Sequence, residues 1–327
     1  MRDITRRLGA SAVLFVLVLT LTFVLGRLAP GDAAELLLPP GASPADAARL
    51  RAELGLDAPV AVQYARWVGG ALKGDLGESL ASGRPVRAVL GDALPVSVGL
   101  GLTSLALTFA IGVAVGTAQA ARRGGPLDTA VTVLSTAVYA APSYWLALAL
   151  VALFTYGAAR WGFPAWLRLP AFALRDPAGQ LGGAAALADV ARHAVLPVLV
   201  LTAVGAAGIA RYARSGVAEL LDADFVRTAR AKGLRERAVL GRHVLRNALP
   251  SLVVLLALAL PGVVAGSVFV ESVFAWPGMG RALLGAIAAR DYPVVLGATV
   301  VYAGLVIAAN LAADLVLPLL DPRRQAE

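Results

Sequence analysis

Six long apolar runs divide this chain, and its polar residues are gathered into blocks between them. The runs are Leu8–Gly26, Leu94–Ala120, Thr129–Gly157, Ala194–Ala210, Ala248–Val270 and Tyr292–Ala313. Each is long enough to cross a bilayer as a helix, so the pattern predicts an all-α membrane protein with six transmembrane helices. Pro142 falls inside the third run and predicts a kink, because proline removes a helical hydrogen bond; Pro197 and Pro261 fall inside the fourth and fifth, where each marks either a local helix irregularity or a hinge. Gly112 and Gly116 form a small-xxx-small pair that permits close approach of a neighbouring helix.

The blocks between the runs carry the remaining organisation. Residues 30–92 read as two short amphipathic helices divided near Asp57–Pro59, and as a segment that cannot span a membrane. Residues 158–192 are broken by Pro164, Pro170 and Pro177, with Trp161 and Trp166 placed to suit an interfacial belt. Arg2, Arg6 and Arg7 ahead of the first run give the outline of a secretory signal. The length of the run, and the lack of a small-x-small site in GRLAPGDAA, favour a retained span with its N-terminus inside.

The block from Leu221 to Pro250 is polar and basic, and it lies between two spans. Asp222 and Asp224 supply N-cap chemistry and negative charge for a short helix ending near Lys232. Arg230 and Lys232 complement its far end, and Gly233 suits the left-handed position that follows. Leu221, Phe225, Ala229 and Gly233 recur every four residues, a row that narrows towards small side chains and can nest in a partner's groove. A second helical stretch, Leu234–Asn247, carries Arg235, Arg237, Arg242 and Arg246 up to the next span. Taken alone, Glu271–Gly280 (ESVFAWPGMG) is an interfacial turn, anchored by Trp276 and reversed at Pro277-Gly278.

Composition and charge agree with the membrane reading. Hydrophobic residues make up 58% of 327, at a mean hydropathy of +0.75, which is too apolar for a soluble domain of this size. Of the 29 basic and 21 acidic residues, 16 and 8 fall in segments 1–8, 121–128, 211–247 and 318–327, leaving 13 of each elsewhere. The whole excess of +8 therefore falls on one proposed side, which is the positive-inside pattern and argues against nucleic acid as a partner. Both termini are expected on that side. Cysteine is absent, and His193 and His243 lack a ligand spacing, so no metal or cofactor is assigned. No phosphate-binding G-x-x-x-x-G-K-[ST] loop occurs, so any ATP must bind elsewhere.

RTARAKGL at Arg227–Leu234, HVLRNALP at His243–Pro250, LGLDAPV and GDLGES in the 30–92 block, ESVFAWPGMG, and ARDYPVV at Ala289–Val295 together resemble one family. It is the membrane subunits of bacterial ABC importers, of the dipeptide, oligopeptide and nickel type. The resemblance implies an ABC type I importer transmembrane domain over residues 93–321, preceded by a first span and external amphipathic segment over 1–92. It implies that Asp222, Asp224, Phe225, Arg227, Thr228, Ala229, Arg230, Ala231, Lys232, Gly233 and Leu234 form the segment coupled to an ATPase. Glu271, Phe274, Trp276, Pro277, Gly278 and Gly280 are implied to pack near the outer end of the translocation path. The general importer pattern has Glu-Ala-Ala ahead of the glycine, where this chain has Arg227, Thr228 and Ala229.

The implied partners are two ABC ATPase subunits, a second related permease, an external substrate-binding protein and the lipid bilayer of the inner membrane. The chain itself is expected to have no catalytic activity. The cargo stays open between peptides, nickel chelates and glutathione. An ion-coupled secondary transporter and an intramembrane hydrolase are the alternatives. The first usually needs ionisable residues at mid-membrane and the second a nucleophile with a base, neither of which the six runs present.

Overall fold

In the computed structural model the described residues are 2–28, 38, 43–53, 55–177, 179, 182–265 and 268–320, and no strand occurs among them. Among the described residues, five helices are long and apolar enough to cross a membrane, or six when one bent pair is taken as a single span. The chain divides into two compact units, residues 1–96 with 278–311 and residues 97–277 with 312–327.

In the first unit, α1 (Arg2–Leu28) is followed by α2 (Pro44–Glu53) and α3 (Val60–Leu72), as the break at Asp57–Pro59 predicts. Ser43 and Asp46 cap α2 reciprocally: the Asp46 N–H donates to the Ser43 hydroxyl and the Ser43 N–H to the Asp46 carboxylate, each at 3.2 Å. Phe23 of α1 meets Tyr64 of α3 edge-on with ring centroids 5.4 Å apart, and Thr20 and Tyr64 share a 2.6 Å hydroxyl hydrogen bond. The first residues of α4 (Val86–Ala121) pack with α12 (Met279–Ala288) and α13 (Tyr292–Leu320) around Val86, Leu90, Met279, Val294 and Ala298. Gly297 is required there, because a Cβ on it would lie 2.7 Å from the Val86 side chain.

In the second unit α4 continues beside α5 (Pro126–Ala140), α6 (Ser143–Val151, extended through a π turn at Ala152–Gly157) and α7 (Gly183–Leu221). Gly112 and Gly116 do permit close packing: a Cβ on Gly112 would sit 2.6 Å from Ile209, and one on Gly116 would sit 2.4 Å from the Ala210 carbonyl oxygen. Pro142 does more than kink its span. α5 and α6 meet at 102°, since a proline N-cap starts a new helix and leaves the previous one ended at Ala140. α7 continues through Pro197 without a break, whereas Pro261 marks a break between α9 (Leu245–Ala259) and α10 (Gly262–Ala265), which precedes α11 (Val268–Val273). The short α8, Asp224–Ala231, lies between α7 and α9.

Candidate functional site: the capped helix between two spans

α8 is shorter than the expected Asp222–Lys232 helix, and its start differs. Ala223 is the N-cap, with no side-chain capping bond, while Asp222 ends α7 and pairs with Arg123 at 3.2 Å. Asp224 stands in the first helical turn, where its charge complements the helix dipole, and the Thr228 hydroxyl donates to the Asp224 carbonyl at 3.0 Å.

The far end agrees with expectation in detail. Gly233 has φ +74°, its N–H donates to the Arg230 carbonyl at 2.9 Å, and the Leu234 N–H donates to the Ala229 carbonyl at 3.4 Å. These two bonds make a Schellman motif with glycine at the left-handed position. Arg230 then reaches across the turn to Glu236 with two hydrogen bonds, of 3.2 and 2.7 Å, and this carboxylate holds the guanidinium above its ordinary pKa.

The face that α8 turns towards its own chain is Val226 and Ala229, spaced i,i+3 and both buried. They join a core of Ala213 and Val217 from α7, Val239 and Val244 from a second π turn at Val239–Val244, and Ala248 and Leu252 from α9. The row Leu221, Phe225, Ala229, Gly233 is therefore not one free surface. Ala229 is 4% exposed inside this core, and Phe225 is 38% exposed on a different flank. Burial next to Val226 decides the helix rotation, because it removes more apolar area from water than a row ending in Ala and Gly. Asp224, Phe225, Arg227, Thr228, Ala231, Lys232, Gly233 and Leu234 are left exposed.

The floor of this region is an ion pair that sequence reasoning missed. Arg214 of α7 donates through Nε and Nη2 to the two carboxylate oxygens of Asp128, both at 2.7 Å, and the Gly124 N–H adds a third bond at 3.0 Å. The pair ties the start of α5, together with the Gly124 turn before it, to α7, the helix that leads into α8. Such bidentate geometry is specific to arginine and a carboxylate.

The Glu271–Gly280 motif falls across both units. In the second unit, Glu271 is fully buried and accepts a 2.6 Å bond from the Ser97 hydroxyl, while Phe274 is buried beside Leu196 and Val270. Trp276 is 3% exposed, so it is a packed residue and not an interfacial anchor. The reversal comes from Ala275, at φ +50°, with the Trp276 N–H donating to the Glu271 carbonyl at 2.8 Å before Pro277. In the first unit, Gly278 is the N-cap of α12 and Gly280 is buried in its first turn. Trp161 and Trp166 are exposed, at 60% and 72%.

A helical chain with up to six candidate spans among the described residues and a short, capped helix set between two of them has the make-up of a polytopic membrane subunit. The chain is a member of the family of binding-protein-dependent transport system inner membrane components: the family's model matches residues 92–326, and that of its N-terminal part matches residues 1–101. It is similar to the oligopeptide transport system permease protein AppB of Bacillus subtilis, 35% identical over 324 residues and 98% of each chain. It is also similar to the dipeptide transport system permease protein DppB of Escherichia coli, 34% identical over 333 residues, covering 98% of this chain and 97% of that one. It is accordingly a multi-pass inner-membrane permease subunit of an ABC importer, a system in which ATPase, substrate-binding and permease subunits work together and ATP hydrolysis lies outside the permease.

Proposed function

We propose that this permease carries peptides, and that α8 with its Gly233 cap is the segment an ATPase subunit grips. The observation that carries the reading is the division of α8 into two faces. Val226 and Ala229 fasten it to α7 and α9, while Asp224, Phe225, Arg227, Thr228 and Lys232 stand out of the core. A helix rooted in two spans moves them when it is pushed, and an exposed flank gives the pusher a surface. Residues 222–234 thus act as a unit, with Asp222 and Arg230 holding its ends to Arg123 and Glu236. The peptide cargo rests on the AppB and DppB relatives, whose names specify oligopeptides and dipeptides.

The complete importer then has two ATPase subunits, a second related permease and an external binding protein that delivers the peptide. Residues 1–92 form the first span with an external segment, and 93–321 form the conducting domain. Both termini and the 211–247 loop face the cytoplasm, and Glu271–Gly280 closes the opposite end of the path. Two measurements test this. Phe225→Ser in the reconstituted complex is expected to retain assembly and lose substrate-stimulated ATP hydrolysis, and full stimulation would reduce α8 to a solvated face. Single cysteines, introduced without background because the native chain has none, are expected to react with an impermeant reagent at position 60 and to be protected at 230. The reverse pattern would overturn the orientation.

A further inference from the structure

In the unit formed by residues 1–96 and 278–311, α1, α12 and α13 leave a cleft of about 290 Å³ between them. Its walls are mainly apolar, from Leu25, Ile287, Val295 and Leu296. Leu25 and Ile287 are more than half exposed, and α1 and α13 are both apolar enough to span a membrane, so the cleft opens on faces that a bilayer would cover with hydrocarbon. Along α13 the lining runs from Tyr292 to Thr299, a rise of roughly 10 Å from the start of the span. That describes a groove leading from a membrane boundary into the apolar layer.

Arg290 lines the cleft two residues before α13 begins. It is exposed and forms no ion pair among the described residues. Its neighbour Asp291 is not its counter-ion, because that buried carboxylate is occupied by the Ser79 hydroxyl at 2.5 Å and the Leu80 and Ala81 N–H groups at 3.1 and 3.2 Å. Arg290 also has φ +56°, a conformation that glycine adopts freely and a side chain only at a cost. Arg290 holds the left-handed position of the Schellman cap that ends α12, its N–H donating to the Ile287 carbonyl at 3.2 Å and the Asp291 N–H to the Ala286 carbonyl at 2.8 Å, so a cation stands at the mouth of the apolar groove where glycine is usual.

We propose that this cleft binds one anionic phospholipid, with part of an acyl chain against Leu25, Ile287, Val295 and Leu296 and the phosphate on the Arg290 guanidinium. The guanidinium presents several donors to phosphate oxygens, and the apolar walls add affinity that a free anion cannot gain. The site is independent of what the importer carries.

The test uses the purified full chain in phosphatidylcholine nanodiscs doped with a phosphatidylglycerol probe bearing a photoreactive group in its acyl chain, with adducts located by mass spectrometry. Adducts are expected in residues 287–299, in excess over those from a phosphatidylcholine probe of the same chain, and unaffected by inorganic phosphate. Equal labelling by the two probes overturns the proposal, and displacement by inorganic phosphate replaces it with a free-anion site. Arg290→Gln is expected to reduce labelling about fivefold, the factor one basic residue carries at an anionic surface. Arg290→Gly removes the charge and the strained backbone together, so it should melt no lower than the native chain while losing the same labelling. Native labelling in that variant overturns the assignment of Arg290.

Discussion

Gly233 offers the sharpest test of how α8 works, because two physical roles for it predict opposite orders of substitution. Its φ of +74° lies in the left-handed region, and a Cβ built on it meets nothing within 4 Å. Within the chain, then, the whole cost of a side chain is backbone strain, about 1–2 kcal/mol for alanine and more for a β-branched residue. Asparagine tolerates this region best among the non-glycine residues, since its short amide bonds locally. If the Schellman cap is what matters, the order of function is Gly, Asn, Ala, Val. A cost of 1–2 kcal/mol shifts the capped-to-frayed ratio about 5- to 30-fold, enough to unseat a helix of eight residues. If the glycine instead leaves room for a partner's surface, bulk decides and alanine outperforms asparagine. The assay is substrate-stimulated ATP hydrolysis of the reconstituted complex, normalised to assembled complex, beside proteolysis of the 231–236 peptide. Alanine equal to or better than asparagine, with no increase in cleavage, would refute the cap argument.

Two further outcomes follow from the packing around α8. Ala229→Glu places a carboxylate without a partner among Val226, Val239 and Val244; it is expected to cost about 3–5 kcal/mol and to lower the amount of assembled complex on size exclusion, not to uncouple an intact one. Asp128→Asn leaves the Arg214 guanidinium without its bidentate acceptor and is expected to lower the melting temperature, with recovery in the Asp128→Asn, Arg214→Met double variant. A double variant that melts no higher than the single one would show that Arg214 is held by other contacts.

The runs of apolar residues by themselves determined the helical class and five of the six expected spans, because a bilayer admits backbone only when its hydrogen bonds close locally; the run Thr129–Gly157 instead forms two helices that meet at 102°. The end of α8 was equally legible: a Schellman cap needs φ above zero at one position, and only Gly233 in RTARAKGL supplies it cheaply. The division between α2 and α3 was readable for the same local reason. The start of α8 was not, because LDADF offers two candidate caps, Asp222 and Asp224, the end of α7 takes Asp222 for itself, and the N-cap falls on Ala223 between them. Only the tertiary structure decided that Ala229 points inward and Phe225 does not, since the rotation of a short helix depends on which neighbours offer an apolar surface. It also paired Asp128 with Arg214, Ser97 with Glu271 and Ser79 with Asp291. Nothing near any of these residues in sequence names its partner. A buried carboxylate must be satisfied, but the donor that satisfies it is whichever side chain the helix packing brings within about 3 Å.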